Sequence, residues 1–163
     1  MSQKLNKMST HPSLPFTIND AQLEDIPALV ELLAVLFSIE ADFKPDTAKQ
    51  IQGLQLLINN PASAVMKVAR DQHGSVVGMV SAQLVISTAQ GAPSAWVEDM
   101  IIAQAHRGVG LGRALLDATL AWAKQKGASR AQLLVDIENE PALGYYQHLG
   151  WQSTQLQARK IFL

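Results

Sequence analysis

Trp96-Val97-Glu98-Asp99-Met100-Ile101-Ile102-Ala103-Gln104-Ala105-His106-Arg107-Gly108-Val109-Gly110-Leu111-Gly112-Arg113 decides how the rest of the chain is read. Trp96 to Ala103 is apolar and β-branched, the composition of a strand. Gln104–His106 is short and polar, and the glycines that follow run into Ala114-Leu115-Leu116, the start of a helix. Strand, glycine turn and helix N-terminus together make an anion site. Glycine lets the backbone approach a ligand closely and take positive φ. The unpaired N–H groups of the first helical turn and the helix dipole favour negative charge. Arg107 and Arg113 add charge-assisted donors. The P-loop pattern is excluded, because no Gly-Lys-Ser/Thr follows. The dinucleotide pattern Gly-x-Gly-x-x-Gly fails as well, since counting from Gly108 puts Arg113 on its third glycine. What fits is Arg-x-x-Gly-x-Gly at Arg107, Gly110 and Gly112, behind a strand that carries Glu98 and Asp99.

Outward from this stretch, 163 residues suit one domain, and 48% hydrophobic content supplies a sizeable core. A net charge of −1 argues against a nucleic-acid groove, which needs clustered Lys and Arg. The chain has no cysteine, which removes disulfides, thiolate catalysis and Cys-based metal sites. The four histidines are dispersed, without metal-ligand spacing, so no metal is expected. No apolar run approaches the roughly 18 residues of a membrane span. Residues 1–15 read as a polar, mobile lead-in without the apolar core of a secretory signal, and Met8 is a second possible start. The expectation is one domain over 16–163, in the cytoplasm.

In chain order, Phe16–Ile18 reads as a short strand. Ile26, Leu29, Val30, Leu33, Leu36 and Phe37 recur at helical spacing, for a helix from about Leu23 to Ser38. Ile39–Asp46 reads as a loop, and Thr47 as the N-cap of a helix to about Ile58. Ala64–Arg70 and Ser75–Ser87 read as a hairpin around Asp71-Gln72-His73-Gly74, with Gly78 marking a bulge or a close backbone approach. Thr88–Ser94 turns the chain, and Ala95–Ile102 runs back antiparallel. The helix after the glycine loop carries Leu111, Leu115, Ala118 and Trp122 on one face and closes at Lys124, Lys126 and Gly127. Ala131–Ile137 reads as a buried strand. Asn139 caps a last helix to about His148, Gly150 stops it, and Trp151–Leu163 reads as one or two closing strands. The three tryptophans, 96, 122 and 151, read as core packing.

The segment Val97-Glu98-Asp99-Met100-Ile101-Ile102 with His106-Arg107-Gly108-Val109-Gly110-Leu111-Gly112-Arg113-Ala114-Leu115-Leu116 resembles the acetyl-CoA-binding motif of the GNAT N-acetyltransferases. Downstream, Asn139 and Tyr145-Tyr146-Gln147-His148-Leu149-Gly150-Trp151 resemble that family's closing Asn…Phe-Tyr-x-x-x-Gly-Phe element, with Trp151 in place of Phe. The resemblance covers roughly residues 16–163. It implies a mixed α/β fold with a largely antiparallel, splayed sheet and about four helices. It implies transfer of an acetyl group from acetyl-CoA to a primary amine, without metal, by direct transfer in a ternary complex. The absence of cysteine fits direct transfer, since no thiol acyl-enzyme can form. Homodimers are common among such proteins.

In the resembling family the diphosphate sits on the N–H groups of Gly108, Val109, Gly110, Leu111, Gly112 and Arg113, beside Arg107. The pantetheine runs along Met100, Ile101 and Ile102 by strand addition where the strands at 95–102 and 131–137 part. Asn139 is a further cofactor contact, or only a helix cap. Tyr146 matches the tyrosine that protonates the departing sulfur, while Tyr145 packs. The family base falls at Glu98 or Asp99. Neighbours on a strand face opposite ways unless a bulge intervenes, and Glu98 is preferred, with Asp99 as the alternative or an amine-binding residue. Glu40, Asp42 and Asp46, in the loop before the second helix, are candidates to meet a cationic amine. That favours a small cationic acceptor over a protein. Two other readings are a CoA-binding regulatory module without turnover, and a dinucleotide domain using Asp136 on a ribose.

Overall fold

The structure is a computed structural model that describes residues 15–40, 42 and 44–163. The lead-in and Met8 therefore fall outside the described residues, Pro15 excepted. Among the described residues nine strands and α-helices follow one another: β1 (Thr17–Asp20), α1 (Ile26–Ile39), α2 (Thr47–Ile58), β2 (Ala64–Arg70), β3 (Val76–Ser87), β4 (Ala92–Ile102), α3 (Leu111–Gln125), β5 (Arg130–Leu133) and α4 (Glu140–His148). The strands form one sheet in sequence order. β1 to β4 are antiparallel neighbours and β5 joins β4 in parallel, across the helical connection α3. This is the expected mixed, largely antiparallel sheet with four helices.

Local chemistry accounts for the element ends. Asp46, rather than Thr47, caps α2, its Oδ1 accepting the Lys49 N–H at 3.1 Å. Pro27 is tolerated in the first turn of α1, where its missing N–H has no helical partner to lose. The β2–β3 turn closes on the Asp71 carboxylate, which accepts the N–H groups of His73 and Ser75 at 2.9 Å each. Gly74 supplies a φ of 82° there. Asn139 caps α4 through its Oδ1 to Ala142 N–H at 3.2 Å, and Gly150 ends that helix at φ 88°.

The sheet is buried on both faces, so β2 and β3 run apolar without clean alternation. Leu29, Leu33, Leu54, Val68 and Met79 form the core under α1 and α2. Val80, Val97, Leu115 and Leu116 form the core under α3, with Tyr145, Tyr146 and Trp151 packed against it. Gly78 sits at the bulge expected of it, and its close neighbour is a side chain rather than backbone. The β2–β3 register slips between Ala69 and Arg70, directly opposite. A Cβ on Gly78 would stand 2.7 Å from Ile102 Cδ1.

Several boundaries differ from the sequence reading, and one segment differs in kind. β1 is Thr17–Asp20, not Phe16–Ile18, and the turn at Leu23–Asp25 is 3-10, so α1 begins at Ile26. β4 begins at Ala92, since Pro93 is accommodated at the strand's start. β5 ends at Leu133, not Ile137, because Asp136 draws the chain into a turn by accepting the Glu138 N–H at 2.9 Å. Trp151–Leu163 forms no strand. Beyond Trp151 the segment takes part in no backbone–backbone hydrogen bond among the described residues, and Leu156, Ile161 and Phe162 are exposed. The outer edge of β5 is left without a partner strand among the described residues.

Candidate active site

A cleft of about 590 Å3 opens where β4 and β5 part. The two strands pair only from Ser94↔Arg130 to Val97↔Leu133. Beyond Val97 the β4 backbone continues to Ile102 with no strand on that side. The cleft runs from this gap to the glycine loop and is walled by α1 and α4.

At the loop end, Gln104–His106 makes a single 3-10 turn and Arg107 folds back, its Nε–H donating to Ile102 O at 2.9 Å. That bond fixes the side chain across the turn and leaves the terminal guanidinium N–H groups available. Gly108 and Gly110 take φ of 79° and 82°, and Gly110 is the left-handed N-cap of α3. The first helical bond is Ala114 N–H to Gly110 O at 3.1 Å. The N–H groups of residues 108 to 113 thus find no backbone acceptor among the described residues. Gly112 is held close by its surroundings, since a Cβ there would lie 2.8 Å from Tyr145 Oη and 2.9 Å from Met100 Cε. Tyr145 packs against the α3 side of the core, as expected.

At the other end a β-bulge reshapes β4. Met79 pairs with Ile101 but Ser81 pairs with Glu98, so Asp99 and Met100 together oppose Val80. Asp99 absorbs the extra residue at φ 52°, the one positive φ at a non-glycine among the described residues. Asp tolerates this region better than most side chains. The bulge cancels strand alternation, and Glu98 and Asp99 both line the cleft. Burial pushes the Asp99 carboxyl up to about 6, helped by the charges of Glu98 and Glu40 and opposed by a hydrogen bond from Ser81. Glu40, at the end of α1, is raised by burial and by Asp136, Asp42 and Glu98. Tyr146 is pushed up to about 12, mainly by burial, and its hydroxyl lies 3.5 Å from Met100 Sδ.

Of the residues singled out in the sequence, Glu40, Glu98, Asp99, Met100, Ile101, Ile102, Arg107, Asn139 and Tyr146 share this one cleft, as do Gly108 and Gly110–Arg113 of the loop. Asp42 does not line it; it is exposed and pairs with Lys160 at 2.9 Å. Asp46 is taken up in capping α2. Val109 flanks the lining residues and is exposed. Sequence reasoning missed Ser81 and, as a wall residue here, Asp136. Ser81 is the lone hydroxyl in the run Val76–Ala82, a signal that was available. A second depression, about 740 Å3, lies between α2 and the β2–β3 strands; amides such as Gln52, Gln55 and Gln83 line it, and no titratable group does.

Comparison with known proteins agrees with the geometry. The sequence model of the Acetyltransferase (GNAT) family matches residues 26–151. The chain is 27% identical over 135 residues to a putative [ribosomal protein bS18]-alanine N-acetyltransferase of Bacillus subtilis (strain 168), covering 83% of this chain and 80% of that one. It is 36% identical over 63 residues to the streptothricin acetyltransferase of Streptomyces lavendulae, covering 36% of this chain and 33% of that one. The crystal structure of a possible acetyltransferase from Clostridium difficile 630 superposes with a TM-score of 0.80 at 14% identity, over 92% of this chain and 99% of that one. A match across both the loop and the closing tyrosine element carries the assignment: the chain belongs to the Acetyltransferase (GNAT) family, whose members are acyltransferases.

Proposed function

We propose that the protein moves an acetyl group from acetyl-CoA to the primary amine of a small cationic molecule, directly, with both substrates bound. The observation that carries this reading is the pairing of two ends in one cleft: a run of free N–H groups at 108–113, and a half-buried carboxyl and phenol at Asp99 and Tyr146. The free donors of a helix N-terminus suit a diphosphate, with Arg107 beside them. The β4 backbone from Met100 to Ile102, which has no strand on its β5 side, suits an extended amide-bearing arm. Asn139 is taken up as the cap of α4 and borders the same arm. When bound, acetyl-CoA supplies the activated acetyl group as a thioester.

The base is assigned to Asp99 rather than to Glu98. A carboxyl raised to about 6 holds an amine proton better than an ordinary one. Asp99 accepts the proton of the attacking nitrogen as the N–C bond forms and the C–S bond breaks. Burial keeps the Tyr146 phenol protonated at neutral pH, so its O–H donates to the departing sulfur. Glu98, Glu40 and Asp136 surround the acceptor end, and none of them is in an ion pair among the described residues. A cationic acceptor answers that concentration of negative charge.

A second reading has an observation behind it, since the Bacillus relative is named for the alanine of a ribosomal protein. A thiol-release assay decides between them, run over aliphatic diamines, amino sugars and a peptide with an N-terminal alanine. Release with the small cations, weakened by salt, is expected. Release with the peptide alone would transfer the assignment to a protein acceptor.

A further inference from the structure

Asp99 and Met100 are the two residues that the bulge in β4 sets opposite Val80, and both line the cleft. The Met100 side chain reaches from the bulge to the glycine loop. A Cβ on Gly112 would stand 2.9 Å from its Cε, so glycine there leaves the room that the methyl group fills. Its Sδ accepts the Tyr146 O–H at 3.5 Å. The Tyr146 ring is held edge-on by Tyr145 and Trp151, with centroids 5.5 and 5.9 Å away. Its hydroxyl makes no second hydrogen bond among the described residues, although Glu40 and Asp99 share the cleft. A thioether sulfur is a weak acceptor. The proton donor of the site is thus held weakly, and by the same element that it is read as protonating.

We propose that Met100 is a positioning residue for acetyl transfer, its Sδ holding the Tyr146 hydroxyl in the free protein and yielding it to the sulfur of bound CoA. The exchange is sulfur for sulfur, so Tyr146 gives up little when it changes partner. A carboxylate acceptor would hold the hydroxyl roughly twice as strongly as a neutral one and keep it from the leaving group. Tyr146 need turn only its O–H about the C–O bond, because Tyr145 and Trp151 fix the ring. No covalent bond changes in this handover, and the phenol keeps its proton until the C–S bond breaks. Gly112 takes part by leaving the space that keeps the Met100 side chain beside Tyr146.

The inference rests on the reading of Tyr146 as the proton donor to the departing sulfur, and its test keeps the two apart. Selenium NMR follows protein made with selenomethionine, the Met100 signal being identified by its loss in Met100→Leu. In the free protein Tyr146→Phe keeps the ring and removes the hydroxyl, and it is expected to shift the Met100 signal more than that of any other methionine. Saturating CoA, with saturation read by titration calorimetry, should erase this difference between the parent and Tyr146→Phe. Desulfo-CoA, with hydrogen in place of the thiol, should bind and leave the difference standing. In the thiol-release assay Met100→Gln puts a stronger, carbonyl acceptor on a side chain of similar length. It should lower kcat roughly fivefold or more, and cost nothing further in the Tyr146→Phe chain. Met100 signals that coincide in free parent and Tyr146→Phe would overturn the proposal. So would a difference that survives CoA or disappears with desulfo-CoA, or an equal loss from Met100→Gln with and without the Tyr146 hydroxyl. CoA that fails to bind in calorimetry would instead remove the acetyl-CoA reading itself, and the handover with it.

Discussion

Asp99→Asn is expected to lower kcat/KM at pH 8 by roughly a hundredfold or more, the scale of a lost general base, while making the protein more stable. The two effects share a cause. Folding carries the Asp99 carboxyl from 3.8 to about 6 by burying it among other acids. The native state therefore binds this proton more tightly than the unfolded chain does. Stability from this group is complete below about pH 4, is lost as the pH rises towards 6, and stays lost above it. A shift of about two units corresponds to about 3 kcal/mol. Asparagine has the same shape, accepts φ 52° and carries no charge to bury. Urea melts should show the variant ahead of the parent at pH 8 by up to about 3 kcal/mol, with the gap closing towards pH 4. Full activity in Asp99→Asn, with loss in Glu98→Gln, would return the base to Glu98.

Gly110→Ala is expected to weaken acetyl-CoA binding roughly five- to thirtyfold by titration calorimetry, the equivalent of the cost of about 1–2 kcal/mol for left-handed backbone in a non-glycine residue. A Cβ at this position meets nothing within 4 Å, so the effect is not a clash inside the protein. Alanine resists φ 82°, and relaxing towards negative φ turns the N–H groups at the start of α3 away from a shared anion. Gly144→Ala is the matched control. It too has open space, but it lies inside α4 without positive φ. That change should add up to about 1 kcal/mol of stability and leave binding alone.

The sequence was most legible where one residue type has one physical use. The glycines at 108, 110, 127 and 150 stand at positive φ beside helix ends, and each marked a helix boundary in the sequence. The helical spacing of Leu29, Leu33 and Leu36 and the apolar runs of β2 and β3 placed the core, because burial on a face needs those periods. The parting of β4 and β5 was legible in the order of the elements, but the length of β5 was not. It is decided by a turn at Asp136, a single side-chain to backbone bond. The bulge left no mark in the sequence that alternation can read. It depends on which β3 residue opposes Glu98, a pairing made only in the folded sheet, and through it Asp99 and Glu98 come to share a cleft. The C-terminal segment, which forms no strand, escaped for the same reason, since weak alternation cannot say whether a strand will find an edge.

The most direct test of the account is thermal melting of the protein with acetyl-CoA, CoA and NAD. The loop at 107–113 is read as a cradle for the diphosphate of acetyl-CoA. At a hundred times its Kd a ligand adds about 2.7 kcal/mol, which for a domain of this size raises Tm by roughly 5–10 °C. The account predicts that rise with acetyl-CoA and with CoA, and none with NAD. A Tm unmoved by acetyl-CoA and CoA, or raised by NAD alone, would contradict it.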